Sequence, residues 1–226
     1  MADRVDLAID TASDLASIAI AREEGLVAEL TWDSARRHGR QLLPAIDGLL
    51  TGHGLAKGDI TALMVDVGPG SYAGIRAGVS AAKGLAFALQ VPLAGIGRLE
   101  IEAYAFAAAG ATVVAVHRAG RSELAWAAYA ADPTWREVLV PRLSPANALI
   151  DALPDATLVT GEIDDALRAQ LVECGHRVAS GAAVVRRASL LAELGRQRLD
   201  AGRADDPNTL VPLYLREPAI GPQPSG

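Results

Sequence analysis

Cysteine is almost missing from this chain: Cys174 is the only one. One thiol forbids an intrachain disulfide and any multi-cysteine zinc site, and it fits a reducing compartment such as the cytoplasm. Basic residues fall short as well, with 21 Lys plus Arg against 27 Asp plus Glu and a formal net charge of −6. An acidic chain lacks the basic stripe that grips a phosphate backbone, so any nucleic acid is expected to be held mainly by something else. Apolar runs stop short of the roughly 20 residues of a spanning helix; the longest are Ala103–Val116 and Gly84–Gly97. The opening Met1-Ala2-Asp3-Arg4-Val5-Asp6 puts acids where a signal peptide has its basic segment. The expectation is a soluble cytoplasmic chain with no membrane partner.

Catalytic vocabulary is thin too. His38, His53, His117 and His176 are scattered, with no pair four apart on a helix and no His-Glu-x-x-His, so a zinc hydrolase has no ligand set. Ser71 lies outside any Gly-x-Ser-x-Gly context, which excludes a nucleophile elbow. Cys174 has no catalytic neighbour and reads as a buried structural thiol. Asp66, Glu100, Glu162 and Asp165 read as ordinary surface or turn acids. No catalytic residue and no metal ligand is assigned.

What the chain does have is core. Of its 226 residues 50% are hydrophobic and 21% charged, ample for a folded α/β protein. Short β-branched or alternating segments at 4–10, 16–22 and 25–32 are split by turn sequences and read as three strands in two hairpins. A helix over 36–51 follows, with Pro44 awkwardly inside it, then a buried strand at 60–67, a helix at 73–89 and a strand at 93–97. The same order recurs: strands at 112–116, 124–130 and 135–143, a helix at 145–152, a strand at 157–160, then helices at 164–174 and 184–201. Two α/β units are expected, 1–98 and 99–206, each a mixed sheet flanked by helices. Segment 207–217 is expected to pack back on the first unit and 218–226 to be a flexible tail.

Two features stand out. Gly68-Pro69-Gly70-Ser71-Tyr72-Ala73-Gly74 joins a buried strand to a helix, where exposed backbone N–H groups can cradle an anion. It lacks a Gly-Lys-Ser/Thr ending, and its third glycine comes one residue late for the dinucleotide fingerprint, so a tight turn capped near Ser71 is favoured. The helix that follows is too apolar for a surface helix. At 100° per residue only Arg76, Ser80 and Lys83, with Phe87 among them, fill a polar sector, and small residues recur every four positions: Gly74, Gly78, Ala82 and Ala73, Ala77, Ala81. Such rows let another backbone approach closely. Burial inside the chain's own fold and a protein–protein interface shared with the Leu42–Leu50 helix both explain the pattern.

Ala8-Ile9-Asp10-Thr11, His38 followed by Leu42-Leu43-Pro44, Gly68–Arg76, Ala82-Lys83-Gly84-Leu85-Ala86 and Val211-Pro212-Leu213-Tyr214-Leu215-Arg216 together resemble the TsaB family. Tyr72-Ala73 stands where that family has Phe-Thr, and Ala12 where it has a hydroxyl residue. The resemblance implies two actin-like (ASKHA, ribonuclease H-like) units. It also implies a non-catalytic scaffold that binds a TsaD-like catalytic subunit, which transfers the threonylcarbamoyl group to adenosine beside the tRNA anticodon. A TsaE-like ATPase joins the larger complex, tRNA is met only through the complex, and the chain forms a homodimer when alone. The interface it implies comprises Leu42, Leu43, Ile46, Leu50, Ala73, Gly74, Ala77, Gly78, Ala81, Ala82 and Leu85. A vestigial phosphate loop falls on Asp10, Thr11, Gly68, Gly70 and Ser71. No cofactor is expected beyond ATP or ADP held weakly or at the partner interface. The alternative is an ATP-binding small-molecule kinase of the same fold.

Overall fold

The computed structural model describes residues 4–35, 37–120 and 122–215. Arg36, at the expected start of the first helix, and the expected tail 218–226 lie outside the described residues, as do 216 and 217.

The first sheet contains β1 (Asp6–Asp10), β2 (Leu15–Arg22), β3 (Gly25–Asp33), β4 (Ala62–Asp66) and β5 (Leu93–Ile96), in the order β3-β2-β1-β4-β5. The two hairpins make β1, β2 and β3 antiparallel, whereas β4 and β5 run parallel to β1. β1 and β4 are buried at every position, as a central strand covered on both faces must be. Helices α1 (His38–Gly52) and α2 (Tyr72–Leu89) cover one face. Leu42, Ile46 and Leu50, four apart on α1, share a core with Ile75, Val79 and Ala82 of α2 and with Leu7, Ile9 and Ile18 of the sheet. Pro44 is the seventh residue of α1, deeper than the first turn.

Strands β6 (Val113–Arg118), β7 (Leu124–Ala131), β8 (Trp135–Ser144), β9 (Leu158–Gly161) and β10 (Arg177–Val178) build the second sheet in the matching order β8-β7-β6-β9-β10. Helices α4 (Ala146–Ala152) and α5 (Asp165–Glu173) pack on one face, through Leu149, Leu167 and Leu171. On the other lies α3 (Arg98–Tyr104), through Leu99 and Ala103. The duplicated order expected from the sequence is therefore present, with α3 and β10 as additions that sequence patterning did not separate from loops.

One boundary needs correction. Helix α6 (Ala188–Asp200) falls within 99–206 but lies on the first sheet, where Leu191, Ala192 and Leu194 meet Ala8, Ala19 and Met64. Small strand residues make that face shallow, and Gly195 lets the helix sink into it: a Cβ there would lie 2.1 Å from Met64 Cγ. The following segment stays with the first unit. Asp205 N–H donates to the Leu93 carbonyl (2.8 Å), Leu213 N–H donates to the Val67 carbonyl (2.7 Å), and Leu210 joins the core. Among the described residues no helix is long and apolar enough to cross a membrane.

Candidate functional site between the two units

β1 and β4 are parallel neighbours in the register Ile9↔Val65, so their ends set Asp10 beside Asp66. Both are buried. Arg186, in the segment leading into α6, forks onto Asp10. Its Nη2 donates to Oδ1 at 3.0 Å while Nε donates to Oδ2. The same guanidinium reaches Ser13 Oγ (3.0 Å) and Glu102 Oε1 (3.3 Å), and its Nε lies 3.5 Å from Asp66 Oδ2. Glu102 Oε1 also accepts from Arg98 Nε one helical turn earlier (2.8 Å), and Arg98 Nη2 donates to Glu162 Oε1 (2.6 Å). Glu162 Oε2 meets His117 Nδ1 at 3.0 Å. A continuous ionic chain thus runs from the first sheet through α3 to the second.

Electrostatics sort these acids. Burial pushes the Asp10 carboxyl up, but the Arg186 charge and hydrogen bonds outweigh it and hold the group below its ordinary value. Asp66 goes the other way, pushed well up by burial and then by the Asp10 charge. Its Oδ2 has no hydrogen-bond partner. The two neighbours are thus pushed in opposite directions, with the ionised form favoured on Asp10, which faces Arg186. Glu162 is depressed because the His117 hydrogen bond and the Arg98 charge together outweigh its burial.

The glycine loop closes against this cluster. Gly68 N–H donates to Asp66 Oδ1 (2.7 Å), Ser71 N–H to the Ala12 carbonyl (2.7 Å) and Gly74 N–H to Ser71 Oγ (3.3 Å), while Thr11 Oγ1 donates to the Gly74 carbonyl (2.7 Å). A Cβ on Gly70 would sit 2.1 Å from the Ala12 carbonyl oxygen. Asp10, Thr11, Gly68, Gly70 and Ser71 do come together, but as a packing joint whose donors at 68, 71 and 74 are spent within the chain. Grooves of about 490 Å³, lined by Ser13, Ser71, Tyr72, Arg98, His117 and Glu162, and about 320 Å³, lined by Pro69, His117, Arg118, Leu213 and Tyr214, open beside it. Among the described residues no group of three or more His, Cys, Asp or Glu is placed to hold a metal ion.

The expected interface residues divide. Leu42, Ile46, Leu50, Gly74, Gly78 and Ala82 are buried in this chain's own core and cannot face a partner. The reason is steric: a Cβ at Gly74 would lie 2.1 Å from the Thr11 carbonyl oxygen and one at Gly78 2.3 Å from Thr11 Oγ1. That small-residue row brings α2 onto β1. Ala77, Ala81 and Leu85 are half-buried, and Leu43 and Ala73 are exposed. The outward stripe of α2 carries Ala73, Arg76, Ser80, Gly84, Phe87 and Ala88, with Phe87 76% exposed. Two smaller expectations also fail. Cys174 caps the end of α5 and is exposed, and Asp66 is no surface acid. Sequence reasoning missed Arg98, Glu102 and Arg186. The one available signal was Arg98 four residues before Glu102, a helical ion pair beginning where the two expected units meet.

Two ribonuclease H-like units joined across such a cleft define an actin-like α/β protein. A family model described as "TsaD: tRNA N6-adenosine threonylcarbamoyltransferase" matches residues 13–144, more than half of the chain. The chain is 31% identical over 218 residues to the Bacillus subtilis tRNA threonylcarbamoyladenosine biosynthesis protein TsaB, covering 93% of each. It is 37% identical over 128 residues to the Escherichia coli protein of the same name, covering 56% of this chain and 55% of that one. A crystal structure of a Pseudomonas aeruginosa protein "with similarity to peptidase YEAZ" superposes with a TM-score of 0.79 at 25% identity, covering 94% of this chain and 100% of that one. The chain belongs to the TsaB family of tRNA threonylcarbamoyladenosine biosynthesis proteins.

Proposed function

We propose that this chain is the non-catalytic scaffold of a cytoplasmic threonylcarbamoyltransferase complex: it binds and activates a TsaD-like subunit that modifies adenosine beside the tRNA anticodon. The observation that carries the reading is the Arg186 fork on Asp10. A nucleotide-dependent enzyme of this fold needs phosphates and their cation between the strand ends, and here a buried guanidinium fills that place. Displacing it would strand an ionised carboxylate in the interior, at a cost of about 3–5 kcal/mol. The chemistry then falls to the partner.

Leu43, Ala73, Ala77, Ala81, Phe87 and Ala88 form the docking surface in this reading. They are apolar, mostly small, and open to solvent or only half-buried. Specific complexes bury about 1,600 Å² in total, about half of it on each partner. The same face supports a homodimer when the partner is absent. A TsaE-like ATPase joins the assembled pair, any ATP or ADP is held weakly or at the joint, and tRNA is met in the complex.

Reconstitution tests this. Transfer to tRNA should need both this chain and the catalytic subunit, and this chain alone should neither modify tRNA nor turn over ATP with magnesium in calorimetry. Turnover by the isolated chain, or unchanged threonylcarbamoyladenosine in tRNA after deletion of its gene, would overturn it.

A further inference from the structure

Aromatic residues make up only 4% of the chain, four of them tyrosines. Tyr104 and Tyr129 pack with Trp135. The other two meet at the mouth of the cleft and stay open: Tyr72 is 47% and Tyr214 40% exposed, with ring centroids 5.3 Å apart and planes tilted by 30°. Arg76 joins them, its Nη1 donating to Tyr72 Oη (2.6 Å) and its guanidinium carbon 5.2 Å from the Tyr72 centroid. Arg37 and Arg40 are exposed at the same end of the α1–α2 pair, because they flank His38, whose Cε1 would lie 3.2 Å from a Cβ on Gly74. None of the three arginines meets a carboxylate among the described residues, although acids outnumber bases in the chain. In the cleft, by contrast, Arg98, Arg118 and Arg186 are all matched to acids.

We infer that this end of the molecule is a contact for single-stranded tRNA within the complex: an unpaired base stacks on Tyr214, and Arg37 and Arg40 take the neighbouring phosphates. An exposed aromatic face with uncompensated guanidiniums beside it is the chemistry that holds unstacked nucleotides without reading sequence. Tyr214 also lines the groove of about 320 Å³, which gives such a base a wall to enter against. The patch is too small to hold RNA alone in an acidic chain, so its contribution appears only beside a partner's own contacts. This inference rests on the scaffold reading above.

The test uses the assembled complex and an unmodified tRNA transcript, with affinity read by fluorescence anisotropy at two salt concentrations. Tyr214→Leu, which keeps apolar packing of the C-terminal segment but removes the stacking face, should weaken binding about tenfold. Tyr214→Phe should bind as the parent does. Arg37→Gln with Arg40→Gln should weaken binding and lower the salt slope by about one for each phosphate no longer neutralised. Parental affinity and salt slope in all variants, with the complex intact by gel filtration, would overturn the inference while leaving the scaffold reading standing. Loss of the catalytic subunit from the Arg37→Gln/Arg40→Gln complex would overturn it too, by making this end a protein contact. Failure of the parental chain to form the complex would instead refute the scaffold reading.

Discussion

The turns that leave β4 and β9 occupy equivalent places in the two units and are built alike. Each passes through a glycine of positive φ, Gly68 at +96° and Gly161 at +102°. Each sends a backbone N–H to the end of the first strand of its sheet or just past it, Ser71 to Ala12 and Glu162 to Val116, and each ends in a side-chain cap, Ser71 to Gly74 and Asp164 to Leu167. Their fates differ. Arg186 and the close approach of α2 seal the acids at the first, Asp10 and Asp66, away from solvent, whereas the acid of the second, Glu162, stays half in solvent on a groove that both turns line. The same backbone therefore buries its acid or leaves it half in solvent according to the side chains packed over it. Loop geometry alone is a poor witness to nucleotide binding in this fold.

Breaking the seal by steric force should have the largest effect. Gly78→Val drives a side chain into Thr11 Oγ1, and Gly70→Ala meets the Ala12 carbonyl at 2.1 Å. Each should cost about 3 kcal/mol or more in urea unfolding, because the obstacle is backbone or a short buried side chain. Gly161→Ala should do as badly in the second unit, with Val116 O at 2.2 Å. Gly84→Ala is the counterweight. Nothing lies within 4 Å of a Cβ there, so it should stabilise α2 by about 0.5–1 kcal/mol.

Next come the ion pairs. Arg186→Met leaves Asp10 buried and unpaired and should cost about 3–5 kcal/mol, partly recovered when Asp10→Asn is added. The matching change at the open turn, Arg118→Met, breaks a pair whose side chains are both about half exposed, and should cost no more than about 1 kcal/mol. Equal losses at the two sites would show that burial does not distinguish the turns.

Most of the fold was legible because hydrophobic period is local. The strands alternate or run continuously apolar, and the hairpin turns carry their own residues. The short α3 was lost because it begins at the 98/99 division drawn between the two units, and α6 was misassigned because an amphipathic stripe does not say which sheet it will cover. The site was harder. Asp10-Thr11 and the glycine loop could be picked out, but the residue that decides their use, Arg186, lies 176 positions away from Asp10. The small-residue row of α2 was seen and given the wrong direction: spacing shows that a close approach exists, and only the Thr11 contact shows what approaches.

Acid titration sharpens the same comparison at lower amplitude. Glu162 is depressed in the folded chain, so its stabilisation is present above its ordinary value of 4.5 and is lost as pH falls through the lower folded value. Glu162→Gln should therefore be less stable than the parent at neutral pH by about 1 kcal/mol, a gap limited by solvent screening that closes on acidification. Asp66 is raised, so the folded chain binds its proton more tightly than the unfolded one. Its unfavourable contribution grows as pH rises from 3.8 to the folded value and disappears in acid. Asp66→Asn, which resembles the protonated acid, should be no less stable than the parent at neutral pH. A large loss there would mean that Asp66 is ionised beside Asp10 and that Arg186 serves both.

The smallest stability change belongs to the outward face of α2, and it is also the most informative about function. Ala88 is exposed on the helix whose inner row includes Gly78. Ala88→Arg should shift unfolding by no more than about 0.5 kcal/mol, since the new guanidinium stays hydrated in the isolated chain. In the complex the same group would be buried without a counter-ion, so co-elution with the catalytic subunit should be lost while the unfolding curve hardly moves. Gly78→Val should lose the complex only together with the fold. If Ala88→Arg assembles normally and Leu43→Arg on α1 does so too, the outer face of the helix pair is not where the partner sits, however apolar it is.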